Sequence, residues 1–591
     1  MYKLFSTLIV LCCSLSLSKA QKISLPYNNS NANQTPSYEE ILNFYKQVDK
    51  KYKEAKLLEY AYVDVAEPLR VLEIKSNNSS SKEKISILIN NGIHPGEPEG
   101  IDASMLLALN ILELQNNESL STSTYIKNNF YLGVLKDLLQ YANIYIIPVY
   151  NIDGALNRNS YSRANQNGPE SYGFRGNAKN LDLNRDFIKL DSRNAQEFTR
   201  LFQDIKPHLF VDNHTSNGAD YQHVITYIAT QKDKLNPNIS KYMYNQFMPQ
   251  LESQLAKYKY ACVPYVNNWS NTPENGWPAF YESPRYATGY TTLFNTIGFT
   301  LETHMLKSYA ERVEASYAYL VSLLEIAKLD HSKIYSSKKL ADESVKNQDV
   351  FYLNWKSDTS TYRYIDFYGY EAEYKDSEIG DYKRLYYNRE KPFVKKVKFY
   401  DTYRCIDSVI KPTAYIIPFA WENVINRLQL NGVQFKRVEK DSLMNLTVYY
   451  IKNYNTSTRA YEGHYLHSNT SYEKKTKSIL VRKGDVIVYM NQNANRYIVE
   501  TLEPNAIDSY FNWNFFDAVL QQKEYFSDYV FEDTALELLK SNPVIRKQFE
   551  EKKKSDKEFA SNKNAQLDFI YKLSPYYEQT HLLYPVYRLE K

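Results

Sequence analysis

Cysteine is scarce in this chain: four in 591 residues, two of them at Cys12 and Cys13 inside an N-terminal apolar stretch. Only Cys262 and Cys405 remain elsewhere, either paired or as two buried thiols. Net charge is also lacking, at +4 from 72 basic and 68 acidic residues, which excludes the electrostatic footprint of a nucleic-acid or anionic-membrane partner. The apolar stretch from Leu4 to Leu17 falls short of the ~20 residues needed to span a bilayer. With Lys3 before it and Ser18-Lys19-Ala20 after it, residues 1–20 read as a secretory signal peptide, and the mature protein as secreted or periplasmic. The Leu and Cys preceding the two early cysteines argue against a lipoprotein anchor. No fixed-period repeat and no low-complexity tract occurs.

What is abundant is tyrosine, 56 residues, and length. The chain exceeds one typical core, so two domains are expected. From about residue 38 to 330 short apolar runs alternate with amphipathic stretches, the pattern of an α/β domain. Strands are predicted at Ile85 to Ile89, Ile144 to Val149, Leu209 to Val211 and Gly298 to Glu302. Helices are predicted near Ile101 to Leu114, Ala195 to Ile205, Lys241 to Leu255 and Arg312 to Ala327. The polar segment 331–349 reads as a linker. Residues 350–591 alternate as in Asp485 to Met490, which predicts a β-rich region, with helical patterns near Val424 to Leu430, Ala535 to Lys540 and Val544 to Lys554.

Chemistry concentrates where apolar runs end. The first predicted strand drives into Asn91-Gly92-Ile93-His94-Pro95-Gly96-Glu97, and a His and a Glu at this spacing can offer an imidazole nitrogen and a carboxylate to one metal ion. In a chain with nine histidines such a pair arises by chance about half the time, so it needs company. His214 ends another apolar run and offers a third ligand. Between them, residues 172–187 carry Arg175, Asp182, Asn184 and Arg185, types suited to holding a carboxylate. Glu302 closes a further apolar run, where burial would raise its pKa toward that of a general base. For His304, a packing or supporting role is expected ahead of metal binding.

His94-Pro95-Gly96-Glu97, Asn184-Arg185, His214 and Glu302, in this order, with His214 coming 117 residues after Glu97, resemble the zinc carboxypeptidase A/B family. Asn151-Ile152-Asp153-Gly154 resembles that family's Asn-Pro-Asp-Gly turn. The resemblance covers roughly residues 38–330 and implies a carboxypeptidase-like fold, a mixed, mostly parallel sheet flanked by helices. Thr300 to Lys307 and Trp513-Asn514-Phe515-Phe516 look like the secreted carboxypeptidase-like proteins of Bacteroidetes bacteria, which carry an appended C-terminal region.

Carried over by position, the resemblance implies one Zn2+ ion held by His94, Glu97 and His214, with Asp182 accepting from the His94 ring. It implies Asn184 and Arg185 on the substrate's C-terminal carboxylate, Arg175 on the scissile carbonyl and Glu302 as general base for the attacking water. The expected substrate is a peptide with a free C-terminal carboxylate. The family's mobile capping tyrosine has three candidates here, Tyr281, Tyr286 and Tyr290, and Tyr286 is carried as the substrate contact. If Thr292 faces the substrate side chain, no acid there demands a basic residue. The alternatives are a zinc amidohydrolase acting on acyl amino acids or murein peptides, and a secreted binding protein whose catalytic machinery has lapsed.

Overall fold

A computed structural model describes residues 22–28, 31–76, 83–267 and 272–591; the segment read as a signal peptide lies outside the described residues. The α/β part is organised by an eight-stranded sheet. Its strands are β1 (Ala55–Tyr62), β2 (Pro68–Ile74), β3 (Ile85–Asn90), β4 (Ala142–Ile147), β5 (Leu209–Ser216), β6 (Ile225–Ala229) and β7 (Val263–Pro264). A short strand β8 (Trp277–Pro278) belongs to another sheet, and β9 (Ile297–His304) completes the first. The spatial order is β1-β2-β4-β3-β5-β9-β6-β7. β4, β3, β5 and β9 run parallel at the centre, while β1, β2 and β6 are antiparallel to their inner neighbours.

This order positions the site. From β3 the chain crosses to β4 on one side, then returns to β5 on the other side of β3. Such a reversal leaves a crevice beyond the carboxyl ends of the strands, and His94, His214 and Glu302 all lie at those ends. His214 on β5 is paired directly with Glu302 on β9. β5 is buried at all its positions, from Leu209 to Ser216, so its polar end residues are held rigidly in the protein interior.

The helices Glu99–Gln115 and Tyr309–Leu329 are buried along nearly their whole length. Their mutual anchor is an ion pair of Arg312 with Glu99, and Glu99 also accepts from the Thr215 hydroxyl at 2.8 Å. The first helix therefore leads from the His94 turn and clamps the end of β5. Gly100 permits this approach, because a Cβ there would sit 2.3 Å from the Asn213 Cβ.

Residues 331–347, expected as a polar linker, form the helix His331–Asn347. Ile334, Ala341 and Val345 are buried along one side of it, enough of an apolar stripe to fasten an otherwise polar segment. β4 begins and ends earlier than expected, β5 and β9 extend further into the polar residues of the site, and the predicted Lys241 to Leu255 helix is interrupted by a π turn at Met243–Phe247.

Beyond residue 350 lie a six-stranded sheet, including the long hairpin arms Ser442–Thr456 and His467–Val481, and helices such as Glu422–Leu430 and Asp528–Ser541. β8 pairs with the strand Lys383–Tyr400. One apolar cluster runs from Val71, Leu88, Phe198 and Phe210 into Tyr415, Val424, Tyr449 and Trp513, so the C-terminal region shares a core with the α/β part. Cys262 and Cys405 are both free thiols.

Candidate metal centre and substrate cleft

The structure brings His94, Glu97 and His214 together, all buried, with one ligand atom from each within 4.8 Å of the others. The His94 and His214 Nδ1 atoms stand 3.1 Å apart. Glu97 Oε2 is 2.9 Å from the His214 Nδ1 and Glu97 Oε1 is 3.2 Å from the His94 Nδ1. The opposite nitrogens are both occupied by carboxylates: His94 Nε2 lies 3.0 Å from Asp182 Oδ1, and His214 Nε2 lies 2.8 Å from Asp212 Oδ2. Donation from Nε2–H to these acceptors leaves both Nδ1 lone pairs facing each other and a carboxylate, an arrangement that a cation relieves. Three N and O ligands in a closed corner fit zinc with its fourth position left for water or substrate.

Electrostatics agree. Burial alone would push Glu97 up, but His94, Arg163 and His214 hold its carboxyl well below the usual range. Burial opposes charge on the His214 ring, yet Asp212 and Glu97 together raise its pKa well above the ordinary value. Arg163 donates to Glu97 Oε1 at 2.7 Å and crosses so closely over the turn that a Cβ on Gly96 would meet its Nε at 2.2 Å. A side chain at Gly96 would therefore have to displace Arg163 from Glu97.

Glu302 is half-buried beside this corner, and no hydrogen bond holds its carboxylate among the described residues. Burial first, then the negative charges of Glu97 and Glu282, raise its pKa to about 8 against the opposing pull of His214 and Arg175. Arg175 is 45% exposed, donates from Nε to Asp182 Oδ2 at 2.9 Å and keeps Nη1 3.7 Å from Glu97 Oε1. Its backbone carbonyl is held by Asn151 Nδ2 at 2.9 Å, which gives the Asn151–Gly154 turn its part in the site. Arg185 packs its guanidinium on the Tyr286 ring, 4.3 Å from the ring centre. Asn184 is buried and accepts from the Ala287 N–H at 3.2 Å. Tyr290 is buried with its hydroxyl on Asn431 at 2.8 Å, and Tyr281 stacks on Tyr403 at 5.2 Å; of the three tyrosines only Tyr286 lies against Arg185.

Residues 66–248 match the family described as Zinc carboxypeptidase. The chain carries a zinc carboxypeptidase domain. The domain's match spans β2 through β6 and includes His94, Glu97, Arg175, Asp182, Asn184, Arg185 and His214. "Carboxypeptidase 2" of Trichophyton rubrum is 21% identical over 502 residues, covering 79% of this chain and 79% of its own. "Carboxypeptidase 2" of Trichophyton tonsurans is 21% identical over 504 residues with the same coverage. Both similarities reach well beyond residues 66–248. The metallo-carboxypeptidase from Burkholderia cenocepacia superposes on 51% of this chain and 70% of its own, with 15% identity and a TM-score of 0.38.

Several residues around the carboxypeptidase domain's site carried no sequence signal. Asp212 sits two residues before His214 on the same strand face, a spacing that could have suggested it. Arg163 comes from an irregular loop with no periodicity. Glu282 is buried, accepts from the Thr288 N–H and hydroxyl, and is raised in pKa chiefly by burial. It is an acid on the same segment as Thr292, which is itself buried and donates its hydroxyl to the Thr288 carbonyl at 2.7 Å. Tyr265 is raised by burial and then by the nearby Glu302 charge. His304 turns away, with Nε2 3.0 Å from Asp220 and its ring stacked on Tyr221 at 4.2 Å.

Proposed function

We propose that this protein is an exported metallocarboxypeptidase that removes the last residue of a peptide. The observation that carries the reading is the convergence of His94 Nδ1, His214 Nδ1 and the Glu97 carboxylate, with each imidazole backed by its own Asp. Zinc held by those three residues would supply a Lewis acid for the scissile carbonyl and an acidified water. Glu302, unpaired and with a pKa near 8 before metal binding, takes a proton from the attacking water and passes it to the leaving amine. Arg175, part-exposed at the rim, meets the carbonyl oxygen as negative charge develops on it. Arg185 and Asn184 hold the terminal carboxylate, which makes the last peptide bond the one that reaches the metal corner.

Export rests on the apolar segment Leu4 to Leu17 with Ser18-Lys19-Ala20 behind it; among the described residues no helix is long and apolar enough to cross a membrane. The test is a panel of peptides, including D-amino acid and γ-linked termini, incubated with wild type and Glu302→Gln. Zinc-dependent release of single C-terminal amino acids by wild type alone is the expected result. Cleavage at internal bonds, or equal turnover by Glu302→Gln, would overturn the assignment. Release from acyl amino acids in preference to peptides would favour the amidohydrolase reading.

A further inference from the structure

The Arg185 guanidinium is met by a residue 276 positions later in the chain: its Nε donates to the Tyr461 hydroxyl at 3.0 Å. Tyr461 opens the turn Tyr461-Glu462-Gly463-His464, whose end residues exchange backbone bonds of 2.8 and 3.0 Å. Both central residues have positive φ, 51° for Glu462 and 81° for Gly463, the pattern of a type I′ turn. A glutamate in that conformation is costly and persists where its surroundings hold it. Here its carboxylate accepts the backbone N–H of Asp182 at 2.7 Å. His464 Nε2 lies 2.8 Å from Asp191 Oδ2, and the Tyr461 ring stacks on the buried Trp513 at 6.3 Å. Three anchors thus fix the turn against the segment that carries Asp182 and Arg185.

In the Arg185 bond the Tyr461 oxygen is the acceptor, so its own proton is available, and no acceptor for it occurs among the described residues. Arg185 uses Nη1 on the Asn184 carbonyl at 2.9 Å, while Nη2 has no acceptor there. Nη2–H lies on the same edge of the guanidinium as Nε–H, which places it beside the Tyr461 hydroxyl. A carboxylate approaching that edge meets two donors, one from each region of the chain.

We propose that Tyr461 binds substrate, donating its phenolic proton to one oxygen of the terminal carboxylate while Arg185 Nη2 takes the other. This rests on the carboxypeptidase reading and assigns the C-terminal region a direct share in the substrate site. Tyr461→Phe keeps the ring on Trp513 and removes the donor. Expected is a KM for peptide hydrolysis raised about 10-fold or more, the usual size for a hydrogen bond to a charged group, with kcat nearly unchanged and zinc content intact. A KM within twofold of wild type would overturn the proposal.

An Arg185→Ala background separates contact from positioning. If Tyr461 touches the carboxylate itself, Tyr461→Phe still weakens substrate binding several-fold there; if its effect vanishes, Tyr461 acts only through Arg185 and the proposal fails. Calorimetry with a free amino acid, which has no amide bond to cleave, reads the same contact without turnover, so failure of peptide hydrolysis and failure of this inference are distinguishable. Weaker binding of that carboxylate by Tyr461→Phe supports the contact, whereas equal affinity, or no binding by wild type, refutes it.

Discussion

The candidate metal corner and the proposed carboxylate cleft are neighbours built by different means. His94, Glu97 and His214 stand at the ends of central parallel strands, with each imidazole oriented by an Asp. Arg175, Asn184 and Arg185 sit on an irregular segment whose conformation depends on contacts from far away: Asn151 on the Arg175 carbonyl, Glu462 on the Asp182 amide and Tyr461 on Arg185. Sheet geometry fixes His214 together with its Asp212 partner on β5, whereas His94 borrows Asp182 from the irregular segment and Glu97 is held by Arg163. The cleft is held by single hydrogen bonds that join two parts of the chain, so substrate binding should be the more easily perturbed function.

The strongest way to break this contrast is at the metal. His214→Ala should lose stoichiometric zinc by elemental analysis and bring peptide hydrolysis to background, with added zinc restoring neither. Next, Glu302→Gln should retain zinc while kcat falls about 10²- to 10⁴-fold, the range for general acid–base groups; normal zinc with normal kcat would remove Glu302 from the chemistry. The same variant tests the buried charge. The folded-state pKa of Glu302 is raised from 4.5 to about 8, so the folded protein binds the extra proton and loses stability as pH rises through that interval. Metal-free Glu302→Gln should therefore match the metal-free wild type in Tm near pH 4.5 and exceed it by a gap that widens up to about pH 8.

Asp212→Asn probes the support of the ligands and should weaken zinc binding roughly 10- to 100-fold, as loss of such partners commonly does, in a chelator competition assay. The smallest effect is expected across the regional boundary. Glu462→Ala leaves the Asp182 amide without its acceptor, and KM should rise roughly fivefold, equivalent to about 1 kcal/mol, with zinc content unchanged. A zinc affinity lowered by Glu462→Ala as much as by Asp212→Asn would erase the distinction between the two corners.

The same contrast explains what the sequence makes legible. The α/β class, the central strands and the proximity of His94, Glu97 and His214 follow from short-range signals: apolar runs ending in polar residues, and a His-x-x-Glu turn. His94 also meets Asp182, as the resemblance implies. Arg163, Tyr461 and Glu462 reach the site through tertiary placement, and nothing in their local spacing marks them. Helix 331–347 is a different omission, since Ile334, Ala341 and Val345 already form a sparse helical stripe that the surrounding lysines and serines obscure. Thr292 is the residue expected to face the substrate side chain, while Glu282, an acid on that segment, is visible only once burial and its bonds to Thr288 are known.

The type I′ turn at residues 461–464 also imposes an order of completion. Asp182 and its Glu462 partner are separated by 280 residues, so a chain still being made, or one cut before the turn, can carry all three metal-binding side chains while its cleft lacks two of its anchors. Shortening the protein to the residues that match the zinc carboxypeptidase family would strip those anchors away and open the shared core around Trp513. The smallest competent unit is therefore expected to reach past the turn at 461–464, where the cleft is finished.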